Sequence, residues 1–389
     1  MKEQWKAQIL STAEENMEEL CSIRTYLYEN PEVGGEEEKS SAILIKTLRK
    51  HGFEVTEDFH GISYAFRAVY DSGKPGASIG FTVEYDALPL MGHGCGHDLI
   101  VTAPMGAAFA LKSIMEETGG KIVVFGTPGE ECLMTKVQLS EEGAFEEVDV
   151  AMTVHPNPVN MASGRATAVD ALQIEFYGKS SHAGAAPADG INALDAAVHC
   201  YSLIGFEKQY IKDANIYGVF VDGGEKSSMI PDHASIKYLL RAWDMQTLER
   251  ARDMVQRCAK AAAEAVGATY KIWRNEPANK NLVTNHTMSE VFNQYYEALG
   301  GGKMPHIDSG GSTDMGDVSH VVPAIHPWVG MDCPQYQMHS KEFADMTITE
   351  AGDNIIRRGA AALALTGMEI LSNPQLLADI KAEFAAAEK

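Results

Sequence analysis

No stretch of this 389-residue chain approaches the ~18 consecutive apolar residues that a membrane-spanning helix needs, so no span is expected. The opening MKEQWKAQILSTAEENMEEL is amphipathic and acidic and lacks the apolar core of a secretion signal. Positive charge is scarce: 32 Lys and Arg stand against 54 Asp and Glu, a net charge of −22. That balance argues against nucleic acid or an anionic membrane as the main partner. Cysteine is sparse as well. Cys21, Cys95, Cys132, Cys200, Cys258 and Cys333 are scattered with no disulfide-like spacing, which predicts a reducing, cytoplasmic setting where each is a core residue or a chemical one. Internal repeats and low-complexity tracts are missing too. What the chain does have is 45% hydrophobic residues, enough to exclude global disorder, and a length that suits two domains.

Residues 3–29 carry one apolar stripe at helical spacing, stopped by NPEVGG, and a second helix is expected over about 37–51. ASIGFTVEYDALP reads as a buried strand running into a loop. KIVVFGTPGEE and VDVAMTVHPNP read as two more, with the long small-residue helix of LIVTAPMGAAFALKSIMEE before them. Strands alternating with helices predict an α/β domain with a mostly parallel sheet. At residue 169 the character changes. Strands with alternating faces, VDALQIEFYGKSSHA and ASIKYLLRAWD, are interleaved with two helices in a β-α-β-β-α-β, ferredoxin-like order. The expected organisation is an α/β domain built from residues 1–168 and 283–389, interrupted by an α+β insert over 169–282. The final IKAEFAAAEK reads as a solvated helix end.

In a parallel α/β sheet, ligands bind at the carboxyl ends of the strands. Four polar clusters follow expected strands of the outer domain: Glu84 and Asp86 in EYDALP, Cys95, His97 and Asp98 in GHGCGHD, Glu130 and Glu131 in GTPGEE, and His155 in TVHPNP. Taken singly, each has a plain explanation. A free cysteine is commonly a buried small hydrophobe, a strand-end histidine a hydrogen-bonded rim residue, and paired glutamates a solvated helix start. Together they would require four independent accidents on one rim. Thiolate, imidazole and carboxylate suit zinc, or manganese or cobalt. Of two adjacent glutamates, one can ligate while the other remains a base that moves a proton to a leaving amine, which is the equipment for amide hydrolysis. Either a turn-stabilising or a site role suits His93, and Cys132 reads as core.

The order EYDALP, GHGCGHD, GTPGEE, TVHPNP, SSHAGAAPADGINALDA, GGSTDMGDVSHVVPAIHP, MHS resembles the aminoacylase/carboxypeptidase family of co-catalytic zinc metallopeptidases over nearly the whole chain. The branch with C-G-H in place of the bridging aspartate is the most similar, in particular its β-alanyl-lysine dipeptidase and p-aminobenzoyl-glutamate hydrolase types. The resemblance implies two divalent metal ions, with Cys95 bridging them, His97, Glu131, His155 and His339 completing the ligands, and Glu130 as base and acid. Asp86 would orient the cluster from behind. The insert would be a lid and dimerisation domain making a homodimer, with His182 reaching the neighbouring subunit's site to steady the oxyanion. Gly310 and Gly311 match a glycine loop that lies close to substrate, and Arg241 matches an arginine that binds a substrate carboxylate or braces the lid. Where relatives read G-G-x-x-x-N-x-I-P, this chain reads GGEKSSMIP, with Ser228 in the asparagine's place, so a relative's substrate does not transfer directly. His320 and His326 compete with His339 for the last ligand position.

The leading expectation is therefore a metal-dependent hydrolase of small N-acyl amino acids or dipeptides, small molecules in either case. An aminobenzoyl-glutamate type of acyl group is the alternative. A metal-independent cysteine hydrolase using Cys95 would leave the paired glutamates without a purpose. A non-catalytic binding protein would have no use for Glu130.

Overall fold

The computed structural model describes residues 1–387, which form two compact units. The first comprises Met1–Arg165, Leu282–Ser309 and the chain from Thr313 on, and the second Ala166–Asn281 with Gly310–Ser312. Their strands, in chain order, are β1 (Glu54–Glu57), β2 (Phe66–Asp71), β3 (Ser78–Val83), β4 (Lys121–Gly126), β5 (Val150–Met152), β6 (His155–Asn157), β7 (Ala168–Tyr177), β8 (Ala214–Asp222), β9 (His233–Ala242), β10 (Thr269–Arg274), β11 (Ala324–Ile325) and β12 (Trp328–Gly330).

In the first unit six strands form one sheet in the order β1-β2-β4-β3-β5-β11. The pairs β4–β3, β3–β5 and β5–β11 are parallel. The β1–β2 and β2–β4 pairs are antiparallel, so one flank of the mostly parallel sheet is a hairpin, whose first strand follows the helix stop at HGFEV. Strands β3, β4 and β5 are buried almost throughout, as strands covered on both faces must be. The helix His97–Lys112 is buried along nearly its whole length. Small residues let it pack closely: a Cβ on Gly106 would lie 3.0 Å from the Ala360 methyl, and one on Gly359 would lie 3.3 Å from that of Ala103. The first apolar stripe is two helices, Lys2–Glu15 and Met17–Glu29, rather than one. Asn16 stands at the break and its side-chain amide donates to the Thr12 carbonyl, the local competition with the backbone that disfavours asparagine inside helices.

The second unit is a four-stranded antiparallel sheet in the order β10-β7-β9-β8, with the helices Ala193–Glu207 and Met245–Val266 packed on it. Asn192 and Asp244 cap those helices through their side chains. The element order is β-α-β-β-α-β, the ferredoxin-like insert expected from the sequence.

Candidate metal centre

Because β3, β4, β5 and β11 are parallel, the residues after Val83, Gly126, Met152 and Ile325 all leave the sheet at one edge. Glu84 and Asp86 follow β3, Glu130 and Glu131 follow β4, His155 follows β5, and His326 follows β11. Cys95 and His97 arrive where the helix His97–Lys112 begins. Its N-cap is Gly96 at φ 84°, and a Cβ there would lie 2.4 Å from Pro156 Cγ. Only glycine accepts both the left-handed backbone and that contact. The middle residue of C-G-H thus permits the Cys95 thiol to lie 3.5 Å from His155 Nε2.

Two donor groups share that thiol. Cys95, His97 and His155 offer one ligand atom each, all within 4.8 Å of one another, and so do Cys95, Glu131 and His339. His97 is buried and its Nδ1 lies 2.9 Å from both the carbonyl and the carboxylate of Asp86. Its Nε2 is left facing the cluster, buried and without a hydrogen-bond partner. His155 Nδ1 is likewise occupied, by the Pro156 carbonyl at 2.7 Å. His339 Nε2 lies 3.3 Å from Glu131 Oε1, and its backbone N–H donates to the Gly94 carbonyl at 2.8 Å, which ties it to the loop that carries Cys95. Its φ of 62° is uncommon for a residue with a side chain. His326 is fully buried with its ring 5.4 Å from that of His155 and 5.0 Å from Trp328, and it belongs to none of the donor groups found among the described residues.

Burial pushes the Cys95 thiol well above its ordinary range. Burial opposes a charge on His97, yet Asp86 and Cys95 outweigh it and hold the ring well above its usual value. Burial, together with the charges of Glu84 and Asp314, pushes the Glu130 carboxyl well up, as a general base near neutral pH requires. Burial and the neighbouring His326 hold His155 well down, in the neutral form that ligates. An unpartnered imidazole nitrogen beside a thiol, a second imidazole and two carboxylates fits a divalent metal ion.

The structure thus gathers Cys95, His97, Glu131, His155 and His339, with Glu130 among them and Asp86 behind His97. Cys132, expected in the core, is exposed, on the turn beyond the glutamates. Within the second unit, His182 is exposed and its Nδ1 accepts from the N–H groups of Gly184 and Ala185 at 3.2 and 3.1 Å. Ser228 lies beside it, its carbonyl accepting from the Ala183 N–H at 2.9 Å. Arg241 Nη1 is 3.4 Å from the Thr167 hydroxyl, which in turn donates to the Gly311 carbonyl at 2.9 Å and lies 3.4 Å from that of Gly310. These residues of the second unit therefore form two groups, His182 with Ser228 and Arg241 with the glycine pair.

Three residues without an assigned role in the sequence stand beside the cluster. Lys136 is fully buried, its Nζ 2.8 Å from Glu84 Oε1 and 2.6 Å from Asp314 Oδ1. Burial opposes ionisation of Glu84, but Lys136, His97, His326 and His155 outweigh it and hold its carboxyl down at about 2. Glu84 was legible in principle, since i and i+2 share a face at a strand end and it stands two before Asp86. Lys136, in TKVQLSE, carries no such signal.

Residues 169–266 match the family model described as a peptidase dimerisation domain. Over 95% of this chain and 90% of the relative, the sequence is 33% identical to a Xaa-Arg dipeptidase from Mus musculus. It is 31% identical to a p-aminobenzoyl-glutamate hydrolase chain from Escherichia coli strain K12, over 74% of this chain and 63% of that protein. A dinuclear metal binding peptidase of the M20 family from Bacillus subtilis has the same fold, with a TM-score of 0.67 at 18% identity, covering 92% of this chain and 99% of the other. Full-length similarity at this level, a metal-ready donor cluster and the dimerisation insert lead to one assignment: the chain belongs to the M20 peptidase family, as a metal-dependent amidohydrolase of that family's hydrolytic kind.

Proposed function

We propose that this chain cleaves the amide bond of dipeptides and small N-acyl amino acids, using two divalent ions that share the Cys95 thiolate. The observation that carries the reading is the shared thiol. His97 and His155 group with it on one side, Glu131 and His339 on the other, with Glu130 adjacent. Zinc suits this donor set best, and manganese and cobalt also suit it. When bound, such ions polarise the scissile carbonyl and acidify water, from ~15.7 toward ~7. Glu130 accepts the proton of the attacking water and passes it to the leaving amine. Asp86 fixes the His97 ring so that Nε2 is the ligating nitrogen. His339 rather than His326 is the last ligand, a choice supported by its 3.3 Å approach to Glu131.

In the lid, His182 reaches the neighbouring subunit's site and donates to the oxyanion of the tetrahedral intermediate there, while Arg241 and the Gly310–Gly311 backbone receive a substrate carboxylate. Ser228 offers a short hydroxyl in the His182 group. A homodimer through the insert is supported by β8, an edge strand of its sheet, which exposes Tyr217, Val219, Phe220 and Val221. Unpaired edges with apolar side chains are either covered or aggregate. All six cysteines are free, which fits a cytoplasmic enzyme.

The test is amine release from β-alanyl-lysine, Xaa-Arg dipeptides, aminobenzoyl-glutamate and N-acetyl amino acids, with chelator and with zinc, manganese or cobalt restored. Chelator-sensitive cleavage of the dipeptides is expected. Cleavage of aminobenzoyl-glutamate alone would replace the dipeptide reading with the acyl-glutamate one. Cleavage indifferent to chelation would overturn the metal mechanism.

A further inference from the structure

The geometry points to Glu84 as a further donor in this centre. We propose that its Oε2 ligates the ion taken by His97 Nε2, with Lys136 and Asp314 holding the carboxylate in that orientation. The inference rests on the metal reading above and adds to it a ligand, and a positioning lysine, that the sequence motifs did not assign.

The two oxygens of Glu84 face different partners. Oε1 lies 2.8 Å from Lys136 Nζ, and Oε2 lies 3.6 Å from His97 Nε2. A separation of 3.6 Å is too long for a hydrogen bond. It is close to the ~3.4 Å that separates two donors placed ~2.1 Å from one tetrahedral ion. His97 cannot turn away to relieve the arrangement, because Asp86 holds its other nitrogen. The carboxylate is placed by an ion pair rather than a hydrogen bond: Lys136 Nζ stands beside Oε1 and is itself hydrogen-bonded to Asp314 Oδ1 at 2.6 Å, with Lys136, Glu84 and Asp314 each at most 1% exposed at the side chain. Glu84, His97 and Glu130 each present a ligand atom within 4.8 Å of the others.

Charge counting leads the same way. Glu84 and Asp314, both buried, share the single ammonium of Lys136, so one carboxylate lacks a counter-charge of its own unless the His97 side of Glu84 supplies it. A cation at His97 Nε2 supplies that charge on the side of Glu84 that Lys136 leaves unmatched. Lys136 is a positioning residue, acting through Glu84.

The test is cobalt(II) titration of the metal-free enzyme, read by bound metal per chain and by the visible d–d absorption, for the native protein and Glu84→Gln. The variant keeps the size of the side chain and leaves Lys136 paired with Asp314. One of two ions is expected to bind at least about tenfold more weakly, with an altered spectrum for that ion and unchanged affinity for the other. Two ions bound at native affinity with the native spectrum would overturn the proposal and reduce Glu84 to a counter-ion of Lys136. A native protein that binds fewer than two ions would overturn the dinuclear reading itself. If Glu84→Gln does not fold, Glu84→Asp takes its place: it retains the charge opposite Lys136 but is one methylene too short to span from Lys136 to the ion. The same two outcomes decide it.

Discussion

Glu37→Gln should make the stability of this protein less sensitive to pH, by an amount the structure sets. Glu37 lies in the loop beneath the metal-centre residues and is fully buried. Its Oε2 accepts the Gly35 N–H at 2.7 Å. The same loop packs so tightly that a Cβ on Gly34 would lie 2.4 Å from Cys132 Sγ and 3.6 Å from Asp86 Oδ2. Burial pushes the Glu37 carboxyl from 4.5 up to about 7, and the Asp86 charge adds to the effect. A folded-state value above the unfolded one means that the folded state holds the proton longer. Its contribution is fully present below pH 4.5 and is lost as pH rises through 7. The whole effect is worth ~3 kcal/mol, of which ~2.5 kcal/mol falls between pH 5 and 8. Glutamine is neutral throughout and cannot lose it. Urea unfolding of the metal-free protein at pH 5 and pH 8 measures this directly. The stability of the variant relative to the native chain should be ~2.5 kcal/mol more favourable at pH 8 than at pH 5. An equal difference at both values would refute the reasoning. Amide hydrolysis should survive in the variant, since Glu37 reaches the ligands only through Asp86.

Glu130→Gln should retain both ions and lose turnover by ~10²–10⁴; turnover near the native level would remove Glu130 as the base. Cys95→Ala should bind one ion or fewer by metal analysis, and two tightly held ions would defeat the shared-thiol arrangement. His182→Ala should lower kcat by ~10²–10³ with metal content unchanged, and an unchanged kcat would exclude it from oxyanion stabilisation. Val219→Lys, on the exposed edge strand β8, should shift sedimentation from dimer to monomer; a dimer that persists would place the interface elsewhere.

How much of this is legible in the sequence depends on whether a signal is local. The two-unit organisation follows from a change of period near residue 169, because parallel buried strands read as apolar runs while half-covered antiparallel ones alternate. Of the β1–β2 hairpin only the first strand is legible, from the helix stop at HGFEV; its antiparallel pairing with Phe66–Asp71 is not, because Glu54–Glu57 is short and largely exposed and carries no buried face to set a partner. The break at Asn16 is hidden inside a continuous apolar stripe, which reports the buried face and not the backbone. Cys132 is misplaced because composition alone favours burying a cysteine, whereas the turn after Glu131 carries it outward.

Part of the cluster is legible because Glu84, Asp86, Glu130, Glu131 and His155 follow strand ends, and the C-terminal ends of parallel strands converge; Cys95 and His97, at a helix start, and His339, in a loop, are legible from their motifs. Lys136 is not. A buried lysine is intelligible only from its partners, here Glu84 from the strand end after β3 and Asp314 from 178 residues further along. No window of sequence contains all three. Yet once Lys136 is located, it changes the meaning of Glu84. A carboxylate two residues before Asp86 could be a solvated acid at a loop mouth; a buried carboxylate with one oxygen beside a buried ammonium and the other turned to an unpartnered imidazole nitrogen is the arrangement on which the proposed ligand role rests. The distinction lies in the long-range contact, so the proposed sixth ligand is one that no stretch of motif could carry.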